Sequence, residues 1–501
     1  MNRIGRNLPR LLFLAAAVTQ GADRQGAMSF EQVRAVAREL STRPFDPPTN
    51  ALPAALTNLS YTEFQKITFK PDKALWRPLR LPFEVEFFHP GYVHQNTVTI
   101  HEFDERHVRV VPFDSELFNY GGGQRELPGD LGFAGFRITY PAARFGEVAV
   151  FVGASYFRMI GQGQTYGTSA RGLALDTVKG QGEEFPAFRE FWLRRPAAHD
   201  KEVTVCALLD GPSVTGAYRF IIRPGAETTT DVKVALFPRR ETAEFGVAPL
   251  TSMFLHDDNG RAIFSDYRPE VHDADGLLMR TGRGEWVWRP LEKGKMLRVN
   301  AFQDRNPRGF GLLQRNRNFE RYQDVVAHFE RRPSVWIEPM GDWGEGAVEL
   351  IQLPSDREFA DNVVAFWKPA APPKPGSTLE LEYNMRWMLR NPGPDDLGRA
   401  RATRVGRVVV EPPVDPPQLR LVIDFEGAAL AKLPADAGVT ARIEGGAETP
   451  PALESLFKNP HNQTWRLVIQ APEPNHAVDF RAWLTLAGRP ITETWSFTWQ
   501  P

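Results

Sequence analysis

From about residue 80 onward the chain alternates apolar and polar positions with a period of two. Residues 83–87, 97–100, 147–152, 231–236 and 379–383 all follow this rule, which sends one set of side chains to a buried sheet face and the other outward. Segments rich in Gly, Pro, Asp and Asn separate the runs, and the 41 Gly and 42 Pro are too scattered for low complexity. The pattern predicts an all-β protein dominated by a large antiparallel sandwich. One helix is predicted ahead of it, over residues 29–40. There Ser29 and Gln32 fit a capping box, and Phe30, Val33, Val36, Ala37 and Leu40 recur at helical spacing. That apolar stripe should pack on a sheet.

The rhythm breaks twice in the C-terminal part, at the Pro-rich stretches 369–376 and 391–398. Only the second falls where one strand series stops and another begins. Beyond it, residues 419–425, 465–469, 481–486 and 495–499 have the strand spacing of a smaller, immunoglobulin-like sandwich. The expected organisation is a leader over 1–22, a large β-sandwich over 23–390, a linker over 391–400 and an immunoglobulin-like domain over 401–501. No repeat of fixed period is present.

Composition narrows the function classes. The 501 residues include 60 basic and 61 acidic ones, a formal net charge of -1, so no global field selects nucleic acid or an anionic membrane and a neutral ligand is expected. Residues 1–22 read as a cleaved secretory signal: Arg3, Arg6 and Arg10 precede a short apolar run over 11–18, with small residues at Ala17 and Ala22. The run is too short to span a membrane, and without an adjacent arginine pair general secretion is expected. Cys206 is the only cysteine, which excludes an intrachain disulfide, and its alternating surroundings make it a buried strand residue.

The densest candidate chemistry is Asp266-Tyr-Arg-Pro-Glu-Val-His-Asp-Ala-Asp-Gly276. Four carboxylates in a partly dehydrated cleft would separate into protonated and ionised forms, as acid/base catalysis requires; an ordinary Asp-rich turn accounts for the same residues. Gly161-Gln-Gly-Gln-Thr-Tyr-Gly167 lacks dinucleotide spacing and reads as a sharp loop that lets a ligand or another backbone approach closely. His272, Asp273 and Asp275 lack the spacing of a zinc or calcium site, so no metal is expected. No Gly-x-Ser-x-Gly elbow occurs. Acids do stand beside tryptophans in segments 334–346 and 355–367, and Trp286 and Trp288 follow the acidic stretch. That combination suits a sugar cleft, which needs flat apolar platforms and placed carboxyls. Trp343, flanked by glycines, is the best candidate platform. Most other aromatics should fill the core. Arg315, Arg317, Arg321, Arg331 and Arg332 fit either a polar cleft or a solvated face.

Seven motifs carry a resemblance: Leu131-Gly-Phe-Ala-Gly-Phe136, Gly153-Ala-Ser-Tyr-Phe-Arg158, Ser169-Ala-Arg-Gly-Leu-Ala174, Gly182-Glu-Glu-Phe-Pro186, Thr251-Ser-Met-Phe254, Tyr267-Arg-Pro-Glu-Val-His-Asp273 and Gly284-Glu-Trp-Val-Trp-Arg-Pro-Leu291. In this order, over residues 29–500, the chain resembles the periplasmic glucan biosynthesis G and D proteins of Gram-negative bacteria. The resemblance implies a galactose mutarotase-like sandwich followed by an immunoglobulin-like domain, and a role in making osmoregulated periplasmic glucans with a β-1,2-linked backbone. Some members resemble β-1,2-glucanases and others transfer the cleaved glycosyl group. Asp361 then matches the general acid, Asp273 the base, whose proton would pass through water and a sugar hydroxyl, and Glu358 a support for the acid. Asp342 takes a cleft-lining place, because the family pattern also accommodates Glu there. Tyr156, Tyr267, Arg268, Trp286, Trp288 and Trp343 complete the expected sugar-binding set. No cofactor is implied. The expected reading is a glucanase or transglycosylase, inverting if the carboxyls stand far enough apart. The rival is a non-catalytic factor that presents glucan to a membrane glucosyltransferase. An epimerase follows only from fold analogy.

Overall fold

The computed structural model describes residues 24–25, 28–48, 52–122, 127–128, 131–141, 146–179, 182–257, 266–409, 411, 415–445 and 450–501. The expected leader over 1–22 lies outside the described residues. The predicted helix forms as Phe30–Ser41, with the Ser29 hydroxyl accepting from the Gln32 backbone N–H. Its stripe of Phe30, Val33 and Ala37 is buried against Trp192, Cys206, Leu208, Ala217, Ala235 and Phe237 on a sheet face. Thr215 Oγ1 ties the helix down by donating to the Ala37 carbonyl at 2.6 Å. Cys206 lies on strand Val203–Asp210, and burial pushes its thiol up to about 12, so it is an inert core residue.

The strands are those the alternation marked. Glu147–Val152 forms with the expected ends, Glu84–Phe88 and Thr99–Phe103 are displaced by one or more residues, and Thr228–Pro238 and Leu379–Met388 extend beyond their predicted runs. Among the described residues they build two large sheets. In the larger, Val203–Asp210, Val214–Arg223, Thr228–Pro238, Leu379–Met388, Ser334–Met340, Gly309–Leu313, Gly276–Arg280 and Trp286–Pro290 are successive antiparallel neighbours. The second contains Arg298–Arg305, Glu345–Gln352, Val363–Pro369, Phe245–Ser252, Ser169–Arg171, Tyr156–Met159 and Glu147–Val152 in that spatial order. The inward faces meet in one core, where Phe136, Phe151 and Phe157 of the second sheet touch Phe191 and Phe220 of the first. A buried aromatic of this kind contributes about 1.5–3 kcal/mol of transfer free energy, so the sandwich needs no crosslink.

The chain leaves the larger sheet at Met388 and enters a four-stranded sheet at Arg399. That sheet, with Gln418–Glu426 and Trp465–Pro472 at its centre, packs through Leu421, Ile423, Phe425 and Leu467 on Phe480, Leu484, Trp495 and Phe497 of the strands opposite. One of these, Thr494–Trp499, pairs in parallel with Trp286–Pro290, so the larger sheet runs on into the C-terminal sandwich. Leu278, Trp288, Leu313, Trp336 and Met388 share the C-terminal core. Arg315 locks the junction. Its guanidinium stacks 3.5 Å from the Trp288 ring centroid and bonds both Glu493 oxygens at 2.6 and 2.8 Å, in a pair almost closed to solvent. Removing one partner of a buried pair strands the other, at a cost of about 3–5 kcal/mol. Denaturant unfolding should therefore show Glu493→Ala losing stability on that scale. Asp395→Ala, which breaks the exposed Arg390–Asp395 pair, should change it by less than about 1 kcal/mol.

Candidate active site

Strand Phe245–Ser252 ends in the segment Ser252-Met253-Phe254, and two acidic segments are fastened to it. The Asp273 backbone N–H donates to the Met253 carbonyl at 2.8 Å, next to strand Val271–His272, which pairs with Phe254–His256. From the other side the Asn362 backbone N–H donates to the Ser252 carbonyl at 3.1 Å, and Val363 pairs with Ser252. Asp361 and Asp273, far apart in the chain, are thereby held at one end of the second sheet.

Their environments differ. Asp273 is buried, and its carboxylate accepts from the Arg332 guanidinium. Arg332 is held in turn: its guanidinium lies 3.9 Å from the Phe329 ring centroid, and its backbone carbonyl accepts from Arg317. Burial draws Arg332 down to about 10, still protonated at neutral pH. Asp361 is exposed as a residue, yet the protein packed around its carboxyl dehydrates it and raises its pKa, against the opposing charges of Arg158 and Arg171. Those two arginines are themselves positioned, Arg158 Nε donating to Ser169 Oγ at 2.6 Å and Arg171 pairing with Glu183 at 2.6 Å. Tyr156 lies under Arg171, 5.4 Å from its ring centroid. Burial, and then the charge of Asp361, keep its phenol protonated and able to donate a hydrogen bond.

Arg268 ties the rim. It donates to Asp324 at 2.9 Å, to both Glu358 oxygens at 3.1 and 2.7 Å, and to Asp266 at 2.8 Å. The Asp266 link raises the guanidinium pKa further, and the same hydrogen bond holds Asp266 down to about 2. Glu358 is thus engaged with Arg268, while its charge reaches Arg332. Beside these tied residues stand the exposed Tyr267, Val326 and Phe359, at 66%, 87% and 98% exposure, a concentration of open apolar surface around one polar cluster.

The rest of the acidic stretch is structural. Glu270 pairs with Arg321 at 2.6 Å; burial would raise it, but His272 and Arg321 outweigh that and hold it low. Asp275 accepts from the backbone N–H groups of Arg315 and Asn316, and burial raises its pKa. Asp266 also accepts from the Arg268 N–H two residues on, the local bond that the turn reading expects.

The structure brings Asp361, Asp273, Glu358, Tyr267, Arg268 and Tyr156 to this region. It does not bring the others. Asp342 sits in a hairpin turn, accepting from the Gly344 N–H at 2.9 Å, and Trp343 is buried against Trp367 and Tyr383. By the register Gly346↔Pro369 to Gln352↔Val363 they lie at the far end of the strands that lead to Asp361, roughly 20 Å away at the usual rise per residue. Its glycine neighbours form the turn instead of exposing the ring. Trp286 stacks on Trp336 at 5.7 Å, and both Trp286 and Trp288 face the C-terminal core. Arg158, Arg171, Asp324 and Asn362 were not singled out from sequence. The signal for the first two was a charged residue interrupting an apolar strand within a quoted motif. Among the described residues no group of three or more His, Cys, Asp or Glu could hold a metal ion.

The glycine loop is part of the support. Thr165 N–H donates to the Arg331 carbonyl at 3.1 Å, and a Cβ at Gly167 would lie 2.8 Å from Arg332 Cβ. The close backbone approach expected of this loop is to the segment that carries Arg332.

Comparison with known proteins agrees with the motifs. A family model described as Periplasmic glucan biosynthesis protein, MdoG, matches residues 28–499. Glucans biosynthesis protein G of Ralstonia nicotianae is 44% identical over 97% of this chain and 99% of its own length. The proteins of the same name from Bradyrhizobium diazoefficiens and Pseudomonas paraeruginosa are 43% and 41% identical over 97% of this chain and 97% and 94% of theirs. A solved α-galactosidase from Lactobacillus brevis aligns with a TM-score of 0.25 at 11% identity, over 47% of this chain and 31% of that one, too slight a likeness to carry an argument. The chain belongs to the family of periplasmic glucan biosynthesis proteins.

Gly167→Ala should overpack the Arg332 stem, which unlike the tip of a flexible side chain cannot swing away. The expected cost is about 1–3 kcal/mol, read as a lower thermal midpoint, with Arg332 turned from Asp273 in a crystal structure of the variant.

Proposed function

We propose that this protein cleaves or remodels the β-1,2-glucan backbone of osmoregulated glucans in the periplasm, by acid/base catalysis between Asp361 and Asp273. The observation that carries this reading is the contrast between the two carboxyls. Asp361 has a raised pKa and solvent access, the properties of a general acid that must hold a proton for the glycosidic oxygen. Asp273 is ion-paired with the Arg332 guanidinium and presents its carboxyl as an acceptor, the role a base must fill. With that carboxyl held by a cation and buried, passage of the proton from the attacking water through a second water or a sugar hydroxyl fits better than direct abstraction. Tyr267 and Tyr156 would receive sugar rings and hydroxyls at a rim that Arg268 holds together through its ion pairs, with the exposed Phe359 as an added apolar contact. Acceptor sugar in place of water would make the same site a transglycosylase.

The ion pairs favour a second reading as well. With Asp273 on Arg332 and Glu358 on Arg268, these carboxylates are held in ion pairs, as a non-catalytic glucan-binding factor serving a membrane glucosyltransferase would tolerate.

One assay separates the two. Purified protein incubated with linear β-1,2-glucan should shorten or redistribute the chains, and Asp361→Asn should slow this by about 10²–10⁴-fold while binding persists. Polymer that is bound yet unchanged by the wild type sinks the enzyme reading; cyclic or lengthened products indicate transfer. The pH profile carries a sign. A raised Asp361 pKa keeps the acid form to higher pH than an ordinary aspartate, so the rate should fall as pH rises through that value, and the alkaline limb should be absent from the residual activity of Asp361→Asn.

A further inference from the structure

Strands Glu345–Gln352 and Val363–Pro369 are joined by a loop that carries Glu358, Phe359 and Asp361. A loop of this length, open at its tip, does not by itself hold a carboxyl to the tolerance that proton transfer requires. Asn362 closes its base. Its backbone carbonyl accepts from Leu353 N–H at 2.8 Å, and its backbone N–H donates to Ser252. Its side chain, 8% exposed, is fully used: Oδ1 accepts from Phe254 N–H at 2.9 Å, and Nδ2 donates to the carbonyls of Phe254 at 2.9 Å and Leu353 at 3.0 Å. The reverse amide orientation would set a donor against an N–H and an acceptor against two carbonyls, so the partners fix the assignment. The bond to Phe254 crosses to the segment whose Met253 carbonyl holds Asp273. The Asn362 side chain therefore bridges the loop that carries Asp361 and the segment that holds Asp273.

We infer that Asn362 is a positioning residue for the acid/base step proposed above: it fixes Asp361 in place relative to Asp273, and the inference rests on that reading. No other residue type reproduces the pattern. Asp supplies no donor, Gln carries its amide one methylene too far, and Ala leaves one N–H and two carbonyls unpaired in a buried place.

The test uses the full chain, with Asn362→Ala and the isosteric Asn362→Asp beside the wild type. Two readouts are followed: kcat and KM on linear β-1,2-glucan, and the Asp361 carboxyl titration by carbon-13 NMR, assigned with Asp361→Asn. Loss of placement by about 1 Å should lower kcat by about 100-fold, with KM within about threefold. In Asn362→Ala the Asp361 titration should move down toward an ordinary aspartate as the loop admits water. In Asn362→Asp it should move up, because a like charge is added next to it. If Asn362→Ala leaves the titration where it is and both variants lose only thermal stability, Asn362 is a structural clamp and the inference is overturned. Should Asn362→Ala not fold, the isosteric variant decides by its kcat and KM, because its titration shift reports the added charge whatever Asn362 does. If the wild type does not cleave glucan, the enzymatic reading falls, and an unmoved titration in Asn362→Ala would still overturn the placement of Asp361 by Asn362 while a shifted one would uphold it.

Discussion

Backbone polar groups buried at a sheet's end have to find partners, and in this molecule that requirement organises the candidate site. When Phe245–Ser252 leaves the second sheet, its next residues carry N–H and carbonyl groups that water does not reach. They are satisfied by the two acidic segments, Asp273 through Met253 and the Asp361 segment through Ser252 and Phe254. The site is thus built from main-chain bonds on a sheet whose other face is packed with phenylalanine and tryptophan. Rigid elements of this kind locate side chains better than free loops do.

Charge then differentiates what the backbone has placed. Arginine does most of this, because its planar fork meets carboxylates two at a time. Arg332 faces Asp273, Arg268 gathers Asp266, Asp324 and Glu358, and Arg158 and Arg171 stand off from Asp361 close enough to act through their fields. Asp361 is left as the carboxyl that these fields and its dehydration pull in opposite directions, with dehydration the larger.

Much of the fold was legible because alternation depends only on which face of a strand is wet. The strand Glu147–Val152 and the C-terminal strand series follow from it, and the helix from Phe30 follows from apolar positions at helical spacing behind a Ser29 cap. The joining of the larger sheet to the C-terminal sandwich was not legible, since a parallel pair between Trp288 and Trp495 leaves no local mark. The site divides the same way. Asp361, Asp273 and Arg268 came from motif resemblance and charge density. Trp343 was misjudged as a platform because flanking glycines look alike whether they expose a ring or turn a hairpin around a buried one. Asn362 carries no signal in sequence: its importance lies in three backbone groups that only folding brings to it.

The parallel pairing at Val287↔Thr494 and Trp288↔Trp495 also bears on how the protein is assembled. Until the later strand arrives, about two hundred residues further along the chain, Trp286–Pro290 is an open, tryptophan-bearing sheet edge. Such edges recruit other chains, and contacts this distant in sequence form late. In a newly made chain, self-association through that edge therefore competes with completion of the sheet. Any factor that shields that strand would raise the yield of folded protein without altering the finished structure.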